Sequence, residues 1–205
     1  AGLLTKGQAE RAKVDLTLLV GQQIPGYVML EKLGQGAMGV VYKALQTRLN
    51  RHVAIKLLKG KKTNDAGFFA QLEREARLAA KLSHNNIVQA IDIGSAGKFH
   101  YFVMELIDGK TIQDEMKAGK KRYEEKEAVE IILQIAQALD HASKRGLVHR
   151  DIKPANIEMT SEGIAKLADL GMARENTDEA TNSREKGMII GTPNYIAPEQ
   201  VQGKS

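Results

Sequence analysis

The stretch His149-Arg150-Asp151-Ile152-Lys153-Pro154-Ala155-Asn156 sets an acid, a cation and an amide at i, i+2 and i+5. A carboxylate can take a proton from a hydroxyl. An ammonium can neutralise a phosphoryl group in transit, and an amide carbonyl is an oxygen ligand for a hard cation. Further along, Asp169 stands in Ala-Asp-Leu-Gly at the end of a strand-like segment. A carboxylate and an amide oxygen on neighbouring strands make half a shell for Mg2+, with phosphate oxygens supplying the rest. His149 is not needed as a base; packing or a backbone hydrogen bond is its expected role.

Other residues suggest phosphate chemistry less specifically. Gly34, Gly36 and Gly39 of GQGAMG lie between two strand-like runs. Glycines there let a backbone approach phosphates, and they equally serve an ordinary hairpin turn. A strand rather than a helix follows, so the dinucleotide-binding fingerprint is not met, and GxxxxGK[ST] is absent. Lys56 ends Val-Ala-Ile-Lys, where strand alternation puts Ala54 and Lys56 on one face; an edge-strand lysine would read the same. Glu75 falls on the apolar stripe of Phe68, Leu72, Ala79 and Leu82, with no basic residue at i±3 or i±4. An unpaired carboxylate is costly there. Lys56 is the natural partner; the alternative is that Glu75 edges the stripe and reaches water.

The elements that must carry these residues follow from texture. Residues 1–20 read as a polar helix broken by Gly21 and Pro25-Gly26, a flank rather than a domain. YVMLEKL, VVYKAL and HVAIKLL read as an antiparallel meander, residues 65–83 as a helix, and NIVQAIDIG and KFHYFVMELI as strands. Residues 124–145 read as an amphipathic helix whose apolar face is Val129, Ile132, Leu133, Ala136 and Leu139, closed by Gly146. NIEM and IAKLAD read as strands around the turn TSEG. Strands first and helices later argue an α+β fold in two lobes: a flank over 1–26, an N-lobe over 27–107 and a partial C-lobe over 108–205, joined near Ile107-Asp108-Gly109.

Composition sets bounds. Of 205 residues, 42% are hydrophobic, enough for a core. The formal charge of +5 is spread without a basic block and does not point to nucleic acid. No cysteine is present, which excludes disulfides and thiolate metal sites. No apolar run approaches the roughly 18 residues of a membrane helix, and no signal peptide is visible. A cytoplasmic protein, or the cytoplasmic domain of a longer one, is the expectation. The first residue is Ala1 rather than Met, which reads as a fragment or a processed product.

Taken in order, the glycine loop, Lys56, Glu75, the Asp151-Lys153-Asn156 set, Asp-Leu-Gly at 169–171 and Ala-Pro-Glu at 197–199 resemble the protein kinases. The wording resembles the bacterial branch of eukaryotic-type (Hanks-type) serine/threonine kinases, over about Tyr27 to Gln200. The resemblance implies a two-lobed fold, with an antiparallel N-lobe sheet plus one helix and a mainly helical C-lobe. It implies MgATP, with Mn2+ as an alternative ion. Gly34, Gly36 and Gly39 would cover the ATP phosphates, and Leu33, Gln35, Ala37, Met38 and Val40 would be among the other nucleotide-binding residues. Val41 and Ala54 would roof the adenine, and Glu158 would lie beneath it, where similar kinases carry an apolar residue. Met104 matches the gatekeeper position; the Glu105 carbonyl and the Ile107 N–H would bond the adenine edge. Lys56 would hold phosphates and pair with Glu75. Asp151 would orient and deprotonate the substrate hydroxyl, assisted by Lys153, while Asn156 and Asp169 hold the metal.

Lys153 together with GTPNY beginning at Gly191 fits Ser/Thr rather than Tyr acceptors, so the implied partners are protein Ser/Thr hydroxyls. Segment 172–190 matches the activation loop. Thr177, Thr181 and Ser183 are its candidate sites of autophosphorylation in trans, with Arg150 placed to pair a phosphate. The sequence departs from the family in having Asp-Leu-Gly for Asp-Phe-Gly and in stopping at Ser205, before the helices that follow Ala-Pro-Glu in similar kinases. Lost burial of this kind is worth roughly 25 cal/mol per Å2 and should leave apolar surface open. The rival readings are a nucleotide-sensing pseudokinase, disfavoured because Lys56, Glu75, Asp151, Asn156 and Asp169 are all present, and an inactive fragment of a longer enzyme.

Overall fold

The computed structural model describes residues 24–36, 39–58, 73–74, 76–97, 99–119, 122–169, 174–175 and 192–202. The expected N-terminal helix and most of the 65–83 helix lie outside them. The chain divides into two compact units, one of residues 1–69 with 92–106, the other of 70–91 with 107–205.

The first unit is a five-stranded sheet. Its strands are β1 (Tyr27–Gly36), β2 (Gly39–Gln46), β3 (Arg51–Leu58), β4 (Ala90–Ala96) and β5 (Phe99–Glu105), in the order β1-β2-β3-β5-β4. The β-branched and aromatic runs form the expected antiparallel meander, turned between β2 and β3 at Asn50, whose φ of 48° an asparagine tolerates. Period-2 alternation then sorts the side chains. Val40, Tyr42, Ala44, Val53, Ile55, Tyr101 and Val103 share the buried face. Val41 stands opposite Lys56, and Lys56 opposite Phe102; Lys43 stands opposite Ala54, and Ala54 opposite Met104. Val41, Ala54, Lys56 and Met104 therefore occupy the other face together.

The second unit holds β6 (Gly109–Thr111), α1 (Ile112–Gly119), α2 (Glu125–Ser143), β7 (Leu147–Val148), β8 (Ile157–Thr160), β9 (Ala165–Leu167), β10 (Arg174–Glu175) and the single turn α3 (Pro198–Val201). β6-β8-β9 form one small sheet and β10-β7 another. Thr111 caps α1: its Oγ1 accepts the Asp114 N–H at 3.0 Å and donates to Asp114 Oδ2 at 2.7 Å. α2 ends at Ser143, two residues before the expected end. Gly146, at φ 76°, donates its N–H to the Ser143 carbonyl at 2.8 Å, and the Arg145 guanidinium donates to the His141 carbonyl at 3.1 Å.

The expected apolar face of α2 is corrected by the structure. Val129, Ile132 and Leu133 are 61%, 62% and 57% exposed, whereas Ile131, Ile135, Ala138 and Ala142 are buried. The helix carries two apolar stripes, and helical periodicity cannot choose between them. The stripe with two alanines at its C-terminal half is the one set against β9 and β7, where small side chains admit a close strand. A second difference concerns residues 76–91. Chain order puts them with the N-lobe, yet they group with the second unit. Residues 76–79 are helical and the turn begins at Ala80. Ala79 and Leu82 of the expected stripe are buried, as is Ala76, and the hydrogen bonds of Asn86 explain the grouping, as described below.

Candidate active site

β7 leads into His149, which is 2% exposed. Its Nδ1 accepts the Asp151 N–H at 3.3 Å, so Nε2 carries the proton and donates to the Ala168 carbonyl at 3.0 Å. Burial pushes the imidazole pKa down, against the raising effect of the Ala168 bond and the nearby Asp169 and Asp151 carboxylates. Of the two roles expected for His149, packing or a backbone hydrogen bond, the structure shows the hydrogen bond in a buried setting. Arg150 follows at φ 67°, and its carbonyl accepts Gln200 Nε2 of α3 at 3.0 Å.

This turn presents Asp151, 7% exposed. Lys153 Nζ lies 2.5 Å from Asp151 Oδ2 and donates to Thr192 Oγ1 at 2.8 Å; Thr192 Oγ1 donates to Asp151 Oδ1 at 2.7 Å. Asn156 Nδ2 donates to the Asp151 carbonyl at 2.8 Å and to Asp151 Oδ2 at 3.1 Å. Burial alone would raise the Asp151 pKa. The hydrogen bonds from Lys153, Thr192 and Asn156 and the lysine's charge outweigh it and hold the carboxyl below its ordinary value. Asp151 is thus an ionised, oriented acceptor.

Asn156 sits in the single 3-10 turn Pro154–Asn156 rather than on a strand, as its proline allows. Its Nδ2 end is committed to Asp151, which leaves Oδ1 as the end that can meet a cation. Its backbone carbonyl accepts the Ala168 N–H at 2.8 Å. Ala168 is therefore held at both polar atoms, by Asn156 and by His149. Asp169 comes next, with φ 63°, an unusual backbone for a non-glycine residue that its surroundings must hold. An amide oxygen and a carboxylate so placed are hard ligands that fit Mg2+ or Mn2+, ions that retain several water or phosphate oxygens.

In the first unit, Val41, Ala54, Lys56 and Met104 share a sheet face, as alternation required. Glu105 ends β5, and Ile107 follows it at the start of the second unit's segment. The glycines differ from one another. A Cβ at Gly34 or Gly36 would meet nothing within 4 Å, so the backbone there lies open to a ligand. A Cβ at Gly39 would lie 2.0 Å from the Leu57 carbonyl oxygen of β3. Gly39 is glycine because of the neighbouring strand. Leu33 and Gln35 are exposed on β1, and Val40 points to the buried face. Ala37, Met38, Glu75, Thr177, Thr181 and Ser183 lie outside the described residues.

Glu158 is half-buried in β8, opposite Lys166 of β9 and Thr111 of β6. Ile157 faces Leu167 and Met159 faces Ala165 in unbroken register, so no bulge brings Met159 to the side of Glu158. Thr192 and Gln200 are the site residues that sequence reasoning missed. The GTPNY string by itself points only to an acceptor class, whereas its threonine touches Asp151 across 41 residues. Nothing local signals the Gln200 bond.

Comparison with known proteins agrees with this arrangement. The family model described as "Protein kinase domain" matches residues 27–205. A "Probable serine/threonine-protein kinase" of Clostridium acetobutylicum is 42% identical over 177 residues, 86% of this chain and 26% of that protein. The "Serine/threonine-protein kinase PknB" of Mycobacterium tuberculosis H37Rv is 38% identical over 183 residues, 87% of this chain and 29% of that protein. The chain thus spans about a quarter of the length of these relatives. Among solved structures, the Mycobacterium tuberculosis PknI kinase domain superposes with a TM-score of 0.66 at 32% identity, covering 74% of this chain and 62% of that one.

Proposed function

Since the chain belongs to the protein kinase domain family, we propose that it carries the phosphoryl-transfer machinery of a serine/threonine protein kinase, moving the γ-phosphoryl of ATP to protein Ser or Thr hydroxyls. The sheet face of Val41, Ala54 and Met104 would receive the adenine, the open backbone at Gly34 and Gly36 would cover phosphates, and Lys56 would hold them, with Glu75 as its expected partner. The Glu105 carbonyl and the Ile107 N–H bond the adenine edge. In the second unit, Asp151 takes the proton of the acceptor hydroxyl as its oxygen bonds the γ-phosphorus and the bond to the ADP oxygen breaks. Lys153 stays beside that carboxylate and offsets the charge gathering on the phosphoryl oxygens. Asn156 and Asp169 hold the divalent cation, which when bound neutralises phosphate charge. Thr177, Thr181 and Ser183 are the candidate autophosphorylation sites. No described helix is long and apolar enough to cross a membrane.

The observation that carries this reading is the Asp151-Lys153-Thr192 triangle, with every edge at 2.5–2.8 Å. It is a preformed base with an adjacent cation. The names of the bacterial relatives support the acceptor class. The test is transfer of labelled phosphate from ATP to a basic acceptor protein with Mg2+ titrated in. Asp151→Asn should lower kcat roughly a thousandfold, with a thermal melt showing that the variant, though less stable, is still folded at the assay temperature. Transfer at the parent rate in Asp151→Asn would remove it from the role of base.

A further inference from the structure

The strand that delivers Asp169 is completed on its outer edge by the backbone at Leu167 and by side chains at Ala165. β9 pairs with β8 through Lys166, opposite Glu158, so the polar backbone atoms of Ala165 and Leu167 point away from β8. Ala165 and Leu167 are both 0% exposed, so water cannot satisfy those atoms. The Ala165 N–H donates to Gln134 Oε1 at 2.9 Å, and the Ala165 carbonyl accepts Asn86 Nδ2 at 2.8 Å. The Leu167 N–H donates to the Asn86 carbonyl at 2.9 Å, and the Leu167 carbonyl accepts the Val88 N–H at 2.9 Å. Asn86 Nδ2 also donates to Gln134 Oε1 at 2.8 Å. All four outward atoms are thereby paired, two of them through one contact between side chains on a loop and on α2. The next residue, Ala168, is already fixed by Asn156 and His149. Asp169 follows in its left-handed conformation, so the direction of its carboxylate depends on how firmly the preceding strand is held.

We propose that Asn86 and Gln134 are positioning residues for the metal-binding carboxylate of Asp169, acting through β9 without touching the ion. This rests on the assignment of Asp169 as a metal residue under the proposed function. Groups that orient a ligand from behind typically change metal affinity by 10–100-fold when removed. Gln134→Met keeps the length of the side chain and deletes the acceptor. Gln134→Glu keeps an acceptor oxygen for both donors and is the conservative rescue. Asn86→Asp keeps the shape but turns the donor into an acceptor facing the Ala165 carbonyl.

The experiment is a Mn2+ titration of the full chain with a non-hydrolysable ATP analogue, read by electron paramagnetic resonance of free Mn2+, with thermal melts in parallel. Gln134→Met and Asn86→Asp should each bind Mn2+ about tenfold more weakly, and Gln134→Glu within about twofold of the parent. A lower melting temperature with unchanged Mn2+ affinity in either deleting variant would reduce the pair to a structural role and overturn the proposal. Should Gln134→Met fail to fold, Asn86→Asp decides by the same reading, and equal weakening in Gln134→Glu would also count against it. Asp169→Asn separates the two layers. If it leaves Mn2+ binding unchanged, the metal assignment itself falls. If it weakens binding while the Asn86 and Gln134 variants do not, only the positioning role falls.

Discussion

The sheet of the first unit and the loop cluster of the second place their polar side chains by different physics. On the sheet, Val41, Ala54, Lys56 and Met104 share a face because opposite residues on antiparallel strands project the same way. Nothing but strand register is required, and the buried face of Val53, Ile55 and Val103 locks that register. Around Asp151 no periodicity operates. Its carboxylate is aimed by a lysine two residues on, an amide five residues on and a threonine 41 residues on, and the turn runs through φ 67° at Arg150. A sheet site tolerates changes that keep alternation, whereas a hydrogen-bonded loop fails when one partner is lost, because a buried polar group is then left unpaired.

The largest test of this contrast is Lys56→Met. Register should survive, since the lysine is on the less buried face, yet phosphoryl transfer should fall at least about a hundredfold, the usual loss for one electrostatic donor. Steady-state kinetics beside a melting curve would show it. Parent-level transfer would strip Lys56 of its role while leaving the sheet description intact.

The glycine hairpin gives the next test, because it separates ligand-driven from strand-driven glycines. Gly39→Ala forces a Cβ to within 2.0 Å of the Leu57 carbonyl oxygen, and should destabilise by about 1–3 kcal/mol, the range for overpacking. Gly36→Ala meets no atom within 4 Å and should leave stability unchanged while raising the KM for ATP. Equal melting temperatures for the two variants would contradict the difference in their surroundings.

Acid should act on the loop before the sheet. The folded-state pKa of His149 is depressed below 6.5, so the unfolded chain binds more protons as pH drops through that value. Stability tied to a neutral His149 is therefore complete above the unfolded pKa and is lost on acidification below it; His141 is lowered in the same direction, but solvent screening makes its share small. The folded pKa of Asp151 is also depressed, so its contribution persists above the ordinary carboxylate value and fails only at lower pH. Between pH 7.5 and 5.5 the melting temperature should drop by about 2–4 °C for each kcal/mol lost, and His149→Asn should flatten that slope. An equally steep slope in the variant would place the acid sensitivity elsewhere.

The smallest expected effect is at Glu158. A carboxylate beneath an adenine would cost on the order of 1 kcal/mol, so Glu158→Leu should tighten MgATP by roughly tenfold or less in calorimetry. Lys166 stands directly opposite on β9, and opposite charges across a strand pair contribute roughly 0.2–1 kcal/mol. That contribution reduces the penalty, so Glu158→Leu should tighten MgATP more when made in a Lys166→Leu background than in the parent chain. Weaker nucleotide binding in both would mean that Glu158 makes a favourable contact with the ligand.

The residues alone determined a good deal. Alternation in VVYKAL and HVAIKLL fixed which side chains share a sheet face, since a period of two leaves no freedom once one face is buried. The acid, cation and amide of the 151–156 stretch were legible because their spacing is short and their chemistry complementary. Other features were decided only in three dimensions. Which stripe of α2 is buried depends on the alanines that admit β9 and β7, and helical periodicity is blind to a partner. Thr192, Gln200, Asn86 and Gln134 act through contacts across 31 to 79 residues of chain. Residues 76–91 join the second unit for the same reason. Asn86 supplies hydrogen bonds that a buried strand edge cannot obtain from water, and that need arises only once the chain has folded.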